Sequence, residues 1–147
     1  MTTTALTGRL LFLDFDGVLH PNFCSPDQYF CRLPDLAKLL GSEDRRLRIV
    51  ISSSWRFHHS PAQLVQVFPE HVRARVVGGT GEPVPGSHSR YNEILAFLGN
   101  RRDRDDWRAL DDSLVEFPDR CPQLIACDGR RGIGDNELEQ LRSWLRS

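Results

Sequence analysis

The apolar positions of the chain fall into short unbroken runs and helical stripes that follow one another in turn. Leu10, Leu11, Phe12 and Leu13 form one such run, as in a strand covered on both faces inside a parallel sheet. Residues 47–51 repeat the pattern and predict a second buried strand. Between them Leu33, Leu36, Ala37, Leu39 and Leu40 lie at helical spacing, with Pro34 in the first turn and Gly41 at the stop. Ser60 and Pro61 cap and start a further helix carrying Leu64, Val65, Val67 and Phe68. Val72, Ala74 and Val76 alternate with Arg73 and Arg75, which predicts an edge strand over 72–77. Glycine and proline make 78–89 a loop, and Ile94, Leu95, Phe97 and Leu98 mark a helix over 91–98, stopped by Gly99 and Asn100. Short strands follow over 107–110 and 123–127. Leu138, Leu141, Trp144 and Leu145 line one face of a last helix over 135–145. Strand and helix alternate throughout. This predicts an α/β three-layer sandwich around a mainly parallel five-stranded sheet.

Length and composition narrow the picture further. A chain of 147 residues, 39% hydrophobic and 27% charged, is expected to form one globular domain over 1–147. The formal net charge of −1 supplies no global attraction to nucleic acid or acidic membranes. No apolar stretch is long enough to cross a bilayer, and the polar start does not resemble a signal peptide, so the expected compartment is cytoplasmic. Cys24, Cys31, Cys121 and Cys127 have neither zinc-site nor disulfide-framework spacing, and reduced thiols are expected. Gly78-Gly79-Thr80-Gly81 lacks the lysine of a P-loop. Residues 42–46 and 101–106 read as exposed polar turns. No membrane or obligate protein partner is expected.

The residues that can carry chemistry gather where the strands end. Asp14 and Asp16 follow the first run directly, and Gly17 lets the chain turn away. That end is where open α/β sheets bind their ligands. The two acids repel unless a cation lies between them or one keeps a proton. Asp111 and Asp112 form a second acid pair after a short strand. Ser52, Ser53 and Ser54 follow the second buried strand, where taken alone they read as caps of the next element. Asp14-Phe15-Asp16-Gly17-Val18 after an apolar strand resembles the first motif of the haloacid dehalogenase-like (HAD) phosphohydrolase superfamily, Asp-x-Asp-Gly-Val/Thr. The serines resemble its second motif, Arg90 at a helix start its third (more often a Lys), and Asp111-Asp112 its fourth. These motifs, in HAD order, span nearly the whole chain.

The resemblance implies a Rossmann-like sheet with the fourth-motif strand beside the first. It also implies a helical squiggle and β-hairpin flap over 18–32, a segment of only about fifteen residues and so no large cap domain. The implied activity is Mg2+-dependent hydrolysis of a phosphomonoester through an aspartyl-phosphate. Asp14 would be the nucleophile and Asp16 the general acid and base. Ser53, favoured by register, or its rival Ser52 would hold phosphoryl oxygens together with Arg90. Magnesium would take Asp14, Asp111, Asp112 and the backbone carbonyl of Asp16 as ligands. Glu116 matches only loosely and is left outside the site. Trp55 and Arg56 line the substrate entrance, or Trp55 belongs to the core; both readings stand. His58 and His59 read as solvent-facing. The implied substrate is a phosphorylated small molecule. A capless build with Ser-Ser-Trp-Arg also resembles HAD domains of nucleic-acid repair proteins, so the terminal phosphate of RNA or DNA is the second substrate class. A phosphate-binding or regulatory module without turnover is the alternative function, and the intact Asp16 argues against it.

Overall fold

A computed structural model describes residues 8–42, 46–100 and 106–147. Five strands form one sheet in the order β3-β2-β1-β4-β5, and every pair is parallel. They are β1 (Arg9–Leu13), β2 (Arg48–Ile51), β3 (Val76–Gly79), β4 (Asp106–Asp111) and β5 (Leu124–Ala126). The chain winds outward from β1 to β2 and β3, then returns to lay β4 on the other side of β1. The carboxyl ends of β1 and β4 therefore flank a topological switch point, the crevice where such sheets bind ligands.

Helices cover both faces because β1 is apolar on both. Leu11 and Leu13 pack into one cluster with Leu36 and Leu40 of α1 (Leu33–Ser42), Leu64 of α2 (Pro61–Val65), Val72 of α3 (Glu70–Arg73) and Leu141 of α5 (Asp135–Leu145). Leu10 and Phe12 face the opposite cluster, built on Ile94 and Leu98 of α4 (Ser89–Leu98) with Val50, Trp107, Ala109 and Phe117. This is the expected three-layer α/β sandwich, a small Rossmann-like fold without a cap domain among the described residues.

Four expectations are corrected. Residues 72–77 are not one strand: Pro69 caps the short helix α3, and Val72 is the buried residue of that turn. The strand starts at Val76 and runs into Gly78 and Gly79, which composition alone assigns to a loop. Residues 18–32 hold turns and a 3-10 helix at Pro26–Gln28, with no hairpin strands. The helix begun by Pro61 ends at Val65, although its capping box between Ser60 and Gln63 forms as the sequence suggests. The polar turns expected over 42–46 and 101–106 lie mostly outside the described residues.

Candidate active site

Sheet register brings the acids together. Leu13 is level with Ile51 on one side and Leu110 on the other. The ladder runs one step further, with the Asp14 N–H donating to the Leu110 carbonyl (3.1 Å) and the Ser52 N–H to the Leu13 carbonyl (2.9 Å). Asp14, Ser52 and Asp111 thus stand in one row. Side chains alternate along a strand, so this row follows Phe12, Val50 and Ala109 on the α4 face. Arg90, in the first turn of α4, meets it there: its Nη1 donates to Asp111 Oδ2 at 2.8 Å and lies 3.5 Å from Asp14 Oδ1.

Asp14 and Asp111 are both buried. Burial is the main cause that drives the Asp14 carboxyl well above its ordinary range; repulsion from Asp111 adds to it and Arg90 opposes it. Asp111 is pushed up to about 6, again chiefly by burial, against the pull of Arg90 and the Ser113 N–H that its Oδ1 accepts at 2.9 Å. Burial alone would lower Arg90, but the surrounding carboxylates outweigh it and hold the guanidinium above its usual value.

Asp112 completes the group. Its Oδ2 accepts the Asn22 amide at 2.6 Å, and its carboxylate lies between Gly17 and Gly129, where a Cβ on either would overlap it. One carboxylate oxygen from each of Asp14, Asp111 and Asp112 lies within 4.8 Å of the others. Three hard oxygen donors at this spacing, two of them buried beside one arginine, fit a divalent cation such as magnesium. Glu116 goes elsewhere: it accepts the Arg90 backbone N–H at 3.1 Å and caps α4.

Asp16, two residues from Asp14, sits in a different setting. Gly17 takes φ +79° and donates its N–H to the His20 carbonyl at 2.8 Å, which folds His20 back beneath Asp16. The Asp16 Oδ1 accepts His20 Nε2–H at 2.8 Å and Trp55 Nε1–H at 3.1 Å. His20 Nδ1 accepts the Phe30 N–H at 3.1 Å, so the ring proton resides on Nε2 and the imidazole is neutral in this arrangement. Among the described residues Asp16 Oδ2 takes no hydrogen bond, and the side chain is 49% exposed.

The segment after β2 splits its roles. Ser53 Oγ accepts the Trp55 N–H at 3.2 Å and caps the 3-10 helix Ser54–Phe57. Trp55 joins both readings open from the sequence, since its ring packs on Phe15 while its N–H reaches Asp16. Arg56 is no entrance residue. It donates to the carbonyls of Ser52, Ser53 and Gly81 and to Glu93 Oε1 (2.7 Å), stapling the end of β2 to α4. His20, Asn22, Glu93 and Gly129 carry no signal in the sequence beyond a histidine inside an apolar stretch. Only contacts between distant segments reveal them.

A parallel sheet with an Asp-x-Asp strand end, a paired acid strand end beside it and an arginine from the covering helix defines a haloacid dehalogenase-like domain. Within that class, the chain belongs to the family of HAD domains in Swiss Army Knife RNA repair proteins, which it matches over residues 10–138. Neither a curated protein nor a solved structure matches it. Membership points to phosphohydrolase-type chemistry. No helix is long and apolar enough to cross a membrane among the described residues.

Proposed function

We propose that the protein is a Mg2+-dependent phosphomonoester hydrolase working through an aspartyl-phosphate. The observation that carries this reading is the contrast between Asp14, inside the carboxylate cluster on Arg90, and Asp16, outside it on neutral donors. A phosphomonoester dianion repels an anionic nucleophile, so charge must be neutralised before attack. Magnesium held by Asp14, Asp111, Asp112 and the Asp16 backbone carbonyl would supply that neutralisation and keep Asp14 ionised against its burial. Asp14 then forms the new bond to phosphorus while the bond to the leaving oxygen breaks, and protonated Asp16 gives its proton to that oxygen. In the second half Asp16 takes a proton from water, the water oxygen bonds to phosphorus, and Asp14 is released.

Arg90 is proposed to hold phosphoryl oxygens together with Ser52, the serine level with Asp14. Ser53, the residue register favoured on sequence grounds, lies one residue past that row, and its Oγ accepts the Trp55 N–H as the cap of the 3-10 helix. The family description supports a nucleic-acid end as substrate, with a phosphorylated small molecule as the other class. The deciding test is hydrolysis of a small aryl phosphate with millimolar magnesium, beside an Asp14→Asn control. Magnesium-dependent release in the parent, with phosphate transiently attached to protein and neither seen in the control, is expected. No release above the control would sink the enzyme reading and leave a phosphate-binding module.

A further inference from the structure

A cleft of about 480 Å³ opens beside Asp16, lined by Tyr29, Phe30, Ser54, Trp55, His58 and His59 and by none of Asp14, Asp111 and Asp112. Its walls are ring systems arranged in layers. Tyr29 lies over His20 with centroids 4.9 Å apart and planes tilted by 33°, and His59 stacks on Trp55 at 5.1 Å and 28°. Tyr29 stands nearly upright on Trp55, at 5.4 Å and 75°, so the two make a corner. Tyr29 also meets Phe30 at 6.2 Å and 61°, whereas His59 has no second ring contact among the described residues. Tyr29 is 42% exposed and His59 is exposed as well, so part of each ring is open to a ligand. The Trp55 indole joins this corner to Asp16 through its N–H.

The position of the cleft decides what it receives. If Asp16 protonates the leaving oxygen, the alcohol that leaves must extend past Asp16, and past Asp16 lie these rings. Besides Asp16 and the Trp55 N–H it accepts, the polar groups of the lining are Ser54, the Tyr29 hydroxyl and the two histidines; no lysine, arginine or amide side chain takes part. A polyol would leave hydroxyls unpaired against such walls. A planar heteroaromatic ring stacks on the Tyr29 and His59 faces and needs only a few edge contacts. We propose that this cleft is a nucleobase subsite, so that the leaving group is a nucleoside, free or at the end of a nucleic-acid chain. The assignment to a leaving group rests on the hydrolase reading above; the affinity for the base does not.

Binding without hydrolysis tests the cleft. Trp107 and Trp144 are buried, so quenching of tryptophan fluorescence by adenosine is expected to report on Trp55. Saturable quenching is expected with adenosine and not with glycerol. Tyr29→Leu and His59→Ala should each weaken it about fivefold or more, and Tyr29→Phe, which keeps the ring, should not. The ratio of kcat/KM for a nucleoside phosphate over that for glycerol phosphate should fall by a similar factor in Tyr29→Leu. A five-nucleotide RNA without terminal phosphates, titrated alongside, binds more tightly than adenosine if the natural ligand is a chain end, and equally if it is a free nucleotide. Adenosine binding no better than glycerol, or indifferent to Tyr29→Leu, in a protein that hydrolyses aryl phosphate would overturn the subsite and leave the hydrolase. Ring-dependent adenosine binding in a protein without hydrolysis would uphold the subsite and overturn the hydrolase.

Discussion

Asp14 and Asp16 are separated by one residue and share a chemical type, yet the fold gives them opposite surroundings. The Asp14 side chain is 9% exposed and faces two further carboxylates and an arginine; that of Asp16 is 49% exposed and faces an imidazole and an indole. Asp14 is the last residue still held in the ladder, which confines it to the α4 side and to the row of Asp111 and Ser52. Asp16 lies beyond the sheet, where Gly17 turns the chain and hands control to side chains from residues 18–32 and from the segment after β2. A spacing of two thus yields two different carboxylates because the backbone changes state between them. Under the proposed mechanism the first takes the charged, metal-assisted role and the second moves a proton.

The sharpest way to break this contrast is to neutralise each acid in turn. Asp14→Asn is expected to abolish turnover and phosphoenzyme together. Asp16→Asn should lower turnover about a hundredfold or more while beryllofluoride, a phosphate mimic, still binds. Near-normal turnover in the Asp16 variant removes it as the acid and base.

Asn22 positions Asp112 from outside the cluster, and partners that orient a metal ligand typically matter about 10- to 100-fold in affinity. Asn22→Ala should weaken magnesium binding by that order, read by titration of the melting temperature. An unchanged midpoint would place Asp112 outside the metal's reach.

On the Asp16 side the effect is smaller. Trp55→Phe keeps an aromatic side chain but removes one hydrogen bond to Asp16, a change of about 2- to 12-fold. The loss should appear in kcat with KM little changed, because the bond sets the orientation of the acid. A loss confined to KM would assign Trp55 to substrate binding alone.

The last effect is on stability and separates the two sides by pH. In metal-free protein Asp111 titrates near 6 in the fold, above the ordinary carboxylate value of 3.8. Between those values the native state holds a proton that the unfolded chain has lost, so stability falls as pH rises from about 4 to about 6. If magnesium binds the ionised cluster as proposed, its stabilisation grows across the same window, reaching about 2.7 kcal/mol at a hundred times its dissociation constant. Asp111→Asn removes a repelling charge and a ligand at once. In EDTA it should melt at or above the parent near neutral pH, and gain little from magnesium. Thermal melts at three pH values, with EDTA or magnesium, check both slopes; a variant with the parent's magnesium shift would take Asp111 out of the site.

Local pattern was enough wherever one segment decided its own state. The run Leu10–Leu13 could only be a central strand, and the helix over 135–145 is found where its apolar stripe predicts it. The acids Asp14 and Asp111, on strands far apart in the chain, could be paired once those strands were taken as neighbours, as the HAD resemblance implied. Pattern failed where two periods fit the same residues. Val72 suits an alternating strand or one helical turn, and packing of that turn against α1, behind Pro69, chose the helix.

The amino-acid order by itself determined the alternating α/β architecture and the set of acids at the strand ends, since both follow from periodicity and from charges that no core can absorb. Tertiary structure alone decided which side chains complete them. His20 and Trp55 converge on Asp16 from positions 4 and 39 residues away, and Asn22 reaches Asp112 across 90. Arg56, a plausible entrance residue by sequence, instead staples β2 to α4. The reason is physical. Secondary structure answers to neighbours within a few residues, whereas a hydrogen bond about 3 Å long depends on how twisted strands and turns set distant backbone segments against one another.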